Sequence, residues 1–218
     1  QALAGPRARF CRGLPTLSSP TAPRQSNGPA AGPQAIATPA LPAARLPQGP
    51  ALIISTSGSE GEPKAVMLSS ANLLAAATAS NAVLPLGPGD VWLCCLPLFH
   101  IGGQSILWRC ALAGATVLLH EGFAAPAVAD ALARDGVTHL SLVPAMLARL
   151  LDLGASPPAS LRHVLIGGAA LSAALYQRAS AAGWPLRPSY GMSESAAQIA
   201  TYCPGPDTPP WREGLAGQ

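Results

Sequence analysis

Residues 138–168 read THLSLVPAMLARLLDLGASPPASLRHVLIGG. The run 138–143 has the short, apolar character of a buried strand. Pro144 follows at the first position of a helix, where its missing N–H would be unsatisfied in any residue, and the helical pattern extends over 144–153. A second strand, 162–166, ends in Gly167-Gly168. The same alternation continues outward in both directions. Upstream lie strand patterns at 51–55, 64–68, 91–96 and 115–120, and helical patterns at 70–83, 103–113 and 128–134, with Ser69-Ser70 as the cap of the first. Downstream, Ser172 caps a helix to Ala182, and 185–189 reads as a last strand. Continuous apolar strands separated by single helices predict an α/β fold, with a mainly parallel sheet flanked by helices on both faces. Ligands in such sheets bind beyond the carboxyl ends of the strands.

The first fifty residues differ in composition. They hold ten of the 24 prolines and five of the 13 Lys+Arg, with no Asp or Glu, so this stretch is +5. The remaining eight basic and ten acidic residues make the rest of the chain −2. The basic excess is therefore confined to a Pro/Ala-rich arm and defines no nucleic-acid surface. Such a composition buries too little apolar area to offset its ordering entropy, so residues 1–50 are expected to be a disordered arm or the remnant of an upstream region. A transit peptide is the weaker reading, because Arg7, Arg9 and Arg12 bunch together and the prolines oppose an amphipathic helix. The start at Gln1 suggests a piece of a longer chain.

The charge content of 11% is low, but the most apolar stretch, 91–119, is interrupted by Pro97, His100, Gly102, Gly103 and Arg109. No uninterrupted run reaches the ~20 residues that a bilayer span requires. The five cysteines (Cys11, Cys94, Cys95, Cys110, Cys203) are odd in number and show no C-x-x-C spacing. They read as small buried hydrophobes in a reducing compartment, for which the cytoplasm is the expectation, and not as a disulfide or zinc framework. His120 has no second histidine at metal-binding spacing, and His139 and His163 fall on or near strands as structural residues.

Directly after the strand at 51–55 comes Ser55-Thr56-Ser57-Gly58-Ser59-Glu60-Gly61-Glu62-Pro63-Lys64. Glycines let backbone N–H groups turn inward, hydroxyls add donors, and a lysine supplies a cation for a polyphosphate. The spacing is not that of a Walker A loop, and in isolation the segment reads equally well as a Ser/Gly-rich connector. Further on, Ser189-Tyr190-Gly191-Met192-Ser193-Glu194-Ser195 begins 125 residues after Lys64, and Gly167-Gly168-Ala169-Ala170 lies between the two. Tyr190 offers a flat aromatic face, Ser193 a hydroxyl, and Glu194 a hard oxygen ligand of the kind Mg2+ takes.

These segments resemble, in the same order, the signature elements of the acyl-adenylate-forming superfamily. The first is similar to its T-S-G-[ST]-T-G-x-P-K-G-V loop, with Glu60 in place of the common Thr and Ala65 in place of the common Gly. The second is similar to Y-G-x-[ST]-E, and the third to the G-G-A/G-x-L element beside adenine. Leu96-Pro97-Leu98-Phe99-His100-Ile101-Gly102-Gly103 resembles the family's P-L-F-H-x-x-G segment near the acyl pocket. The segments at 90–103, 113–119, 138–147 and 188–201 also resemble the branch that activates 2-succinylbenzoate in menaquinone biosynthesis. The resemblance spans about 51–202.

The resemblance implies a partial large N-terminal domain of an adenylate-forming enzyme over 51–218. It implies ATP, Mg2+ and coenzyme A, with a small-molecule carboxylic acid as the other partner. ATP would be bound by Thr56, Ser57, Gly58, Ser59, Gly61 and Lys64 and by Gly167, Gly168, Ala169, Tyr190, Gly191 and Ser193. Glu194 would hold the metal, and Lys64, Glu194 and His100 would be the catalytic set. The implied reaction joins the acid to AMP and then to the CoA thiol. Other medium-chain or aryl acyl-CoA synthetases, and a nucleotide-binding piece without turnover, are alternatives. The superfamily's later ribose-binding Asp and its small C-terminal domain with the adenylation Lys have no match in this sequence, so this chain alone is expected to turn over very slowly or not at all.

Overall fold

The computed structural model describes residues 34–37, 49–56 and 64–216, all within the unit Gly32–Gln218. The chain order is β1 (Gln34–Ala37), β2 (Pro50–Thr56), β3 (Lys64–Ser69), α1 (Ser70–Val83), β4 (Val91–Cys94), α2 (Ile101–Ala113), β5 (Thr116–Leu119), α3 (Ala125–Arg134), β6 (His139–Leu142), α4 (Pro144–Asp152), β7 (His163–Ile166), α5 (Ala173–Ala181), β8 (Leu186–Met192) and β9 (Ala197–Thr201), with a 3-10 turn at Ser193–Ser195.

Local chemistry sets the element ends. Ser69 caps α1 by accepting from the Asn72 N–H at 3.2 Å, while Asn72 Oδ1 accepts from the Ser69 N–H at 3.0 Å, a reciprocal capping box. Pro144 opens α4 at its first turn, as its fixed φ favours. The helix predicted from Gly103 starts instead at Ile101, with His100 as its N-cap, and stops at Gly114 in the left-handed region (φ 68°).

Seven strands form one sheet in the order β1-β5-β4-β6-β7-β8-β9. The five central strands run parallel, and β1 and β9 pair antiparallel at the two edges. Three features depart from the sequence reading. Gln34–Ala37, inside the stretch read as an arm, pairs with β5 as a strand, while residues 1–33 and 38–48 of that stretch lie outside the described residues. β2 and β3 do not join the parallel sheet but pair with each other as a separate antiparallel hairpin; the seven residues 57–63 between them are too few for a parallel crossover. The last strand continues past Ser189 through Tyr190-Gly191-Met192, and β9 returns beside it.

β4, β5, β6 and β7 are buried on both faces. Leu93 and Cys95 face a core with Val128, Leu132, Leu147 and Ile166, and Trp92 and Cys94 face another with Ile106, Cys110 and Val117. Full burial of such side chains contributes roughly 1.5–3 kcal/mol each. A third cluster, Leu68, Leu73 and Ala196, joins the hairpin and α1 to the turn after β8. From β4 the chain steps to β5 on one side and then crosses to β6 on the other. The strand order thus reverses at β4 and β6, and a crevice forms beyond their carboxyl ends. Among the described residues no helix is long and apolar enough to cross a membrane.

Candidate functional site

Two cavities open along the carboxyl ends of the strands, the larger at the crevice of β4 and β6 and the smaller beside β7 and β8. The larger, about 570 Å³, is walled by Leu96 and Pro97 after β4, His100–Gly103 at the start of α2, Leu142 and Val143 after β6, and residues of the β8–β9 hairpin. The smaller, about 380 Å³, lies between Gly168–Leu171 and Tyr190 on one side and Trp211, Leu215 and Ala216 on the other. Gly168, Ser189 and Gly191 line both, so they form the ridge between the two.

The glycines of that ridge are required by space. A Cβ on Gly167 would stand 2.9 Å from Ser189 Oγ, which donates to the Ile166 carbonyl at 3.0 Å. Gly168 has φ 77°, a conformation that side chains rarely adopt. At the entrance of the larger cavity, a Cβ on Gly103 would lie 2.4 Å from the Pro97 carbonyl oxygen. The α2 backbone can therefore approach the β4 loop only with glycine at 103.

The structure gathers several of the expected residues here. His100 lines the larger cavity, Ala169 and Tyr190 the smaller, Gly168 and Gly191 both, and Gly167 and Ser193 the larger. Glu194 follows Ser193 in the 3-10 turn and is exposed. That turn packs beside β3, the strand that Lys64 begins. Thr56 and Lys64 face each other at the end of the hairpin where the chain passes from β2 to β3, with Thr56 Oγ1 donating to the Lys64 carbonyl at 3.3 Å. Ser57, Gly58, Ser59 and Gly61 lie outside the described residues. No group of three or more His, Cys, Asp or Glu placed to hold a metal occurs among the described residues.

The sequence reading missed the polar end of the larger cavity. Ser105, Arg109, Ser141 and Gln198 line it. Arg109 is 2% exposed, its Nε has no hydrogen-bond partner, and no carboxylate pairs with it among the described residues. Burial pushes its pKa down to about 10, so it remains a cation at neutral pH. Its ζ carbon lies 5.3 Å from the centroid of the Trp92 ring. The signal was present in the chain, since Arg109 is the lone charge in the apolar helical run 101–113. A cation at such a position needs a partner, and the described residues supply the Trp92 face.

A parallel sheet with glycine-edged cavities at its strand-order reversal is the architecture of an α/β domain that binds small molecules. The model of the AMP-binding enzyme family matches residues 11–218, and the chain belongs to that family. It is 40% identical over 154 residues to the 2-succinylbenzoate–CoA ligase of Bacillus pumilus, covering 71% of this chain and 32% of that protein. The o-succinylbenzoate coenzyme A synthetase of Bacillus subtilis, solved in complex with ATP and magnesium ion, superimposes with a TM-score of 0.67 at 38% identity over 70% of this chain and 32% of that one. The N-terminal domain of FACL13 from Mycobacterium tuberculosis superimposes with a TM-score of 0.63 at 25% identity over 68% of this chain and 38% of that one. The chain spans about a third of the length of the curated relatives it matches.

Proposed function

We propose that this chain is the nucleotide- and acid-binding part of an AMP-forming acid–CoA ligase whose acid is 2-succinylbenzoate. The observation that carries the reading is Arg109, a buried cation without a carboxylate partner among the described residues, at the polar end of a cavity of about 570 Å³. 2-Succinylbenzoate carries two carboxylates. One must be free to react at the phosphate, and the other supplies the anion that a buried guanidinium requires.

In this reading ATP occupies the smaller cavity. Tyr190 and the Gly167-Gly168-Ala169 turn would hold the adenosine and Gly191 and Ser193 its phosphate end, with the outer phosphates assigned to Thr56, Ser57, Gly58, Ser59, Gly61 and Lys64. The ridge of Gly168, Ser189 and Gly191 is then the place where the acid meets the α-phosphate. A carboxylate oxygen of the acid forms a bond to the α-phosphorus as the bond to the β-phosphate bridge breaks, releasing pyrophosphate. The sulfur of coenzyme A, entering past His100 as the thiolate after its proton is lost to solvent, then bonds the acyl carbon, and AMP departs with the former carboxylate oxygen. Such chemistry needs positioning and charge stabilisation more than a covalent catalyst. The donor set fits Mg2+, which takes one or two carboxylates together with waters and phosphate oxygens; Glu194 would hold it beside Ser193. When bound, the ion neutralises phosphate charge. The reaction belongs to the cytoplasm, where ATP and coenzyme A are available.

The test is calorimetric titration of the protein with 2-succinylbenzoate and with 4-oxo-4-phenylbutanoate, which lacks the ring carboxylate. A charged hydrogen bond of roughly 1.5–3 kcal/mol predicts a preference of about tenfold or more for the dicarboxylate, abolished in Arg109→Met. Equal binding of the two acids would sink the reading. Pyrophosphate exchange with the same acids then measures the adenylation step.

A further inference from the structure

Trp92 lines neither cavity, yet it touches two groups that do. It is fully buried on β4, and the parallel register pairs it with His139 on β6. Residues two apart on a strand share a face, so Ser141 stands beside the indole as His139 does. The indole Nε1 donates to Ser141 Oγ at 3.1 Å. The ring stacks on His139 with centroids 5.0 Å apart, and the Arg109 guanidinium, brought by α2 to the same face, lies over it.

An indole N–H can only donate, so the bond commits Ser141 Oγ to accept. The serine hydrogen must then point elsewhere, and no acceptor on the described residues takes it. The cavity is where Ser141 faces. The guanidinium is attracted to the ring face at 5.3 Å, within the usual range for a cation–π contact. One side chain therefore orients a neutral donor and a cation toward the same end of the cavity.

We infer that Trp92 is the positioning residue for acid selectivity, holding Ser141 and Arg109 as a two-donor seat for the carboxylate that is not activated. The inference rests on the reading of the larger cavity as the acid site. It assigns to Trp92 a role beyond core packing, carried by its N–H as well as by its ring.

The experiment uses Trp92→Phe, Ser141→Ala and the double variant, titrated with 2-succinylbenzoate, 4-oxo-4-phenylbutanoate and Mg-ATP. Trp92→Phe keeps an aromatic ring and removes the donor. Each single change is expected to weaken 2-succinylbenzoate about tenfold. Binding of the monocarboxylate and of Mg-ATP stays within about twofold. Because both changes remove the same oriented donor, the double variant is expected to bind no more weakly than either single variant. Losses that multiply in the double variant, or a Trp92→Phe loss shared equally by both acids, would overturn the inference. Should Trp92→Phe fail to melt cooperatively, 15N indole spectra of the unaltered protein decide. The Trp92 N–H signal, assigned through its displacement in Ser141→Ala, is expected to shift with 2-succinylbenzoate and not with the monocarboxylate; no shift overturns it. If the unaltered protein does not prefer the dicarboxylate, the functional reading falls and takes this inference with it. If it does and the Trp92 and Ser141 variants keep that preference, the inference alone falls.

Discussion

Gly191 runs so close to Ala197 that a Cβ at position 191 would stand 1.9 Å from the Ala197 carbonyl oxygen and 2.6 Å from its carbon. The backbone at 191 is not in the left-handed region, so the glycine is required by space and not by its φ. Across the hairpin, Ala196 (φ 57°) and Ala197 (φ 98°) carry the strain instead. Ser195 Oγ, 2.9 Å from the Met192 carbonyl oxygen and 3.0 Å from that of Ala197, pins the turn between them. The pinched turn presents Ser193 and Glu194, and strain at such a place is retained only where the surroundings enforce it.

Two substitutions across this contact should act in opposite directions. Gly191→Ala drives backbone against backbone, where no rotamer can yield. We expect a loss of at least about 2 kcal/mol in stability, together with Mg-ATP binding. Ala197→Gly relieves the positive φ and should raise stability by about 1 kcal/mol, the released strain exceeding the added chain entropy. Urea midpoints of the two variants check both. A tolerated Gly191→Ala would mean that the hairpin can open without damage.

Charge roles at the mouth of the site predict unequal losses. Glu194→Ala is expected to weaken Mg-ATP binding but leave metal-free AMP unchanged, because only the former needs the carboxylate to hold Mg2+. Lys64→Ala should weaken ATP more than AMP if, as proposed, its cation serves the outer phosphates. Titration of both variants with both nucleotides reads this out, and equal losses for ATP and AMP would remove the assignments.

After β9 the chain folds back over the smaller cavity and is tied down at several points. Tyr202 OH donates to the Pro209 carbonyl at 2.9 Å, Trp211 stacks on Tyr176 with centroids 4.2 Å apart, and Glu213 Oε2 accepts from the Ala173 N–H at 3.0 Å. Trp211 also walls the cavity. Trp211→Ala should therefore weaken AMP about tenfold, a typical loss for one aromatic wall, with 2-succinylbenzoate binding unchanged. Parallel losses for both ligands would mark general damage instead.

Much of this architecture was legible because its signals are local. Pro144 and the Ser69–Asn72 box mark helix starts, and the apolar runs at Leu93, Leu140 and Val164 mark strands buried on both faces. Pairing direction is not local. Nothing in the 64–69 sequence tells it to pair back on β2, and Gln34–Ala37 becomes a strand only because the edge of β5 is available. The cavity-lining residues Gly167, Gly168, Tyr190 and Gly191 were legible through motif resemblance. Ser141 and Trp211 were not, since a serine in a strand and a tryptophan near a run of prolines carry no signal until the fold sets them beside a cavity. Arg109 was named only as a break in an apolar stretch, although a lone charge there already asked for a partner.

The histidine pair beneath the sheet gives the molecule a defined acid sensitivity. His139 is fully buried and lies tilted against His163, with ring centroids 5.0 Å apart and planes at 44°. Its Nε2 lies 3.1 Å from the Pro85 carbonyl, which can only accept, so Nε2 carries the proton and Nδ1 is left facing Thr138 Oγ1 at 2.8 Å. Burial pushes both histidines down to about 4; His163 and Arg162 oppose charge on His139, and Arg187 and Arg162 oppose it on His163, while Asp90 favours it on both and the Pro85 carbonyl favours it on His139. The unfolded chain binds protons near pH 6.5 and the folded chain near pH 4. Stability is therefore complete above about pH 6.5 and falls as the pH drops through that window. For His139 the loss is on the order of 3 kcal/mol, and for the more exposed His163 it is less. Urea midpoints at pH 7.5, 5.5 and 4.5 should decline steeply in the unaltered protein and distinctly less in His139→Gln, which keeps a donor for Pro85 but cannot be charged. Carboxylates titrating near pH 4 affect both proteins alike, so the difference between the two curves isolates the histidine. A flat profile between pH 7.5 and 5.5 in the unaltered protein would show that the pair is hydrated and not held neutral.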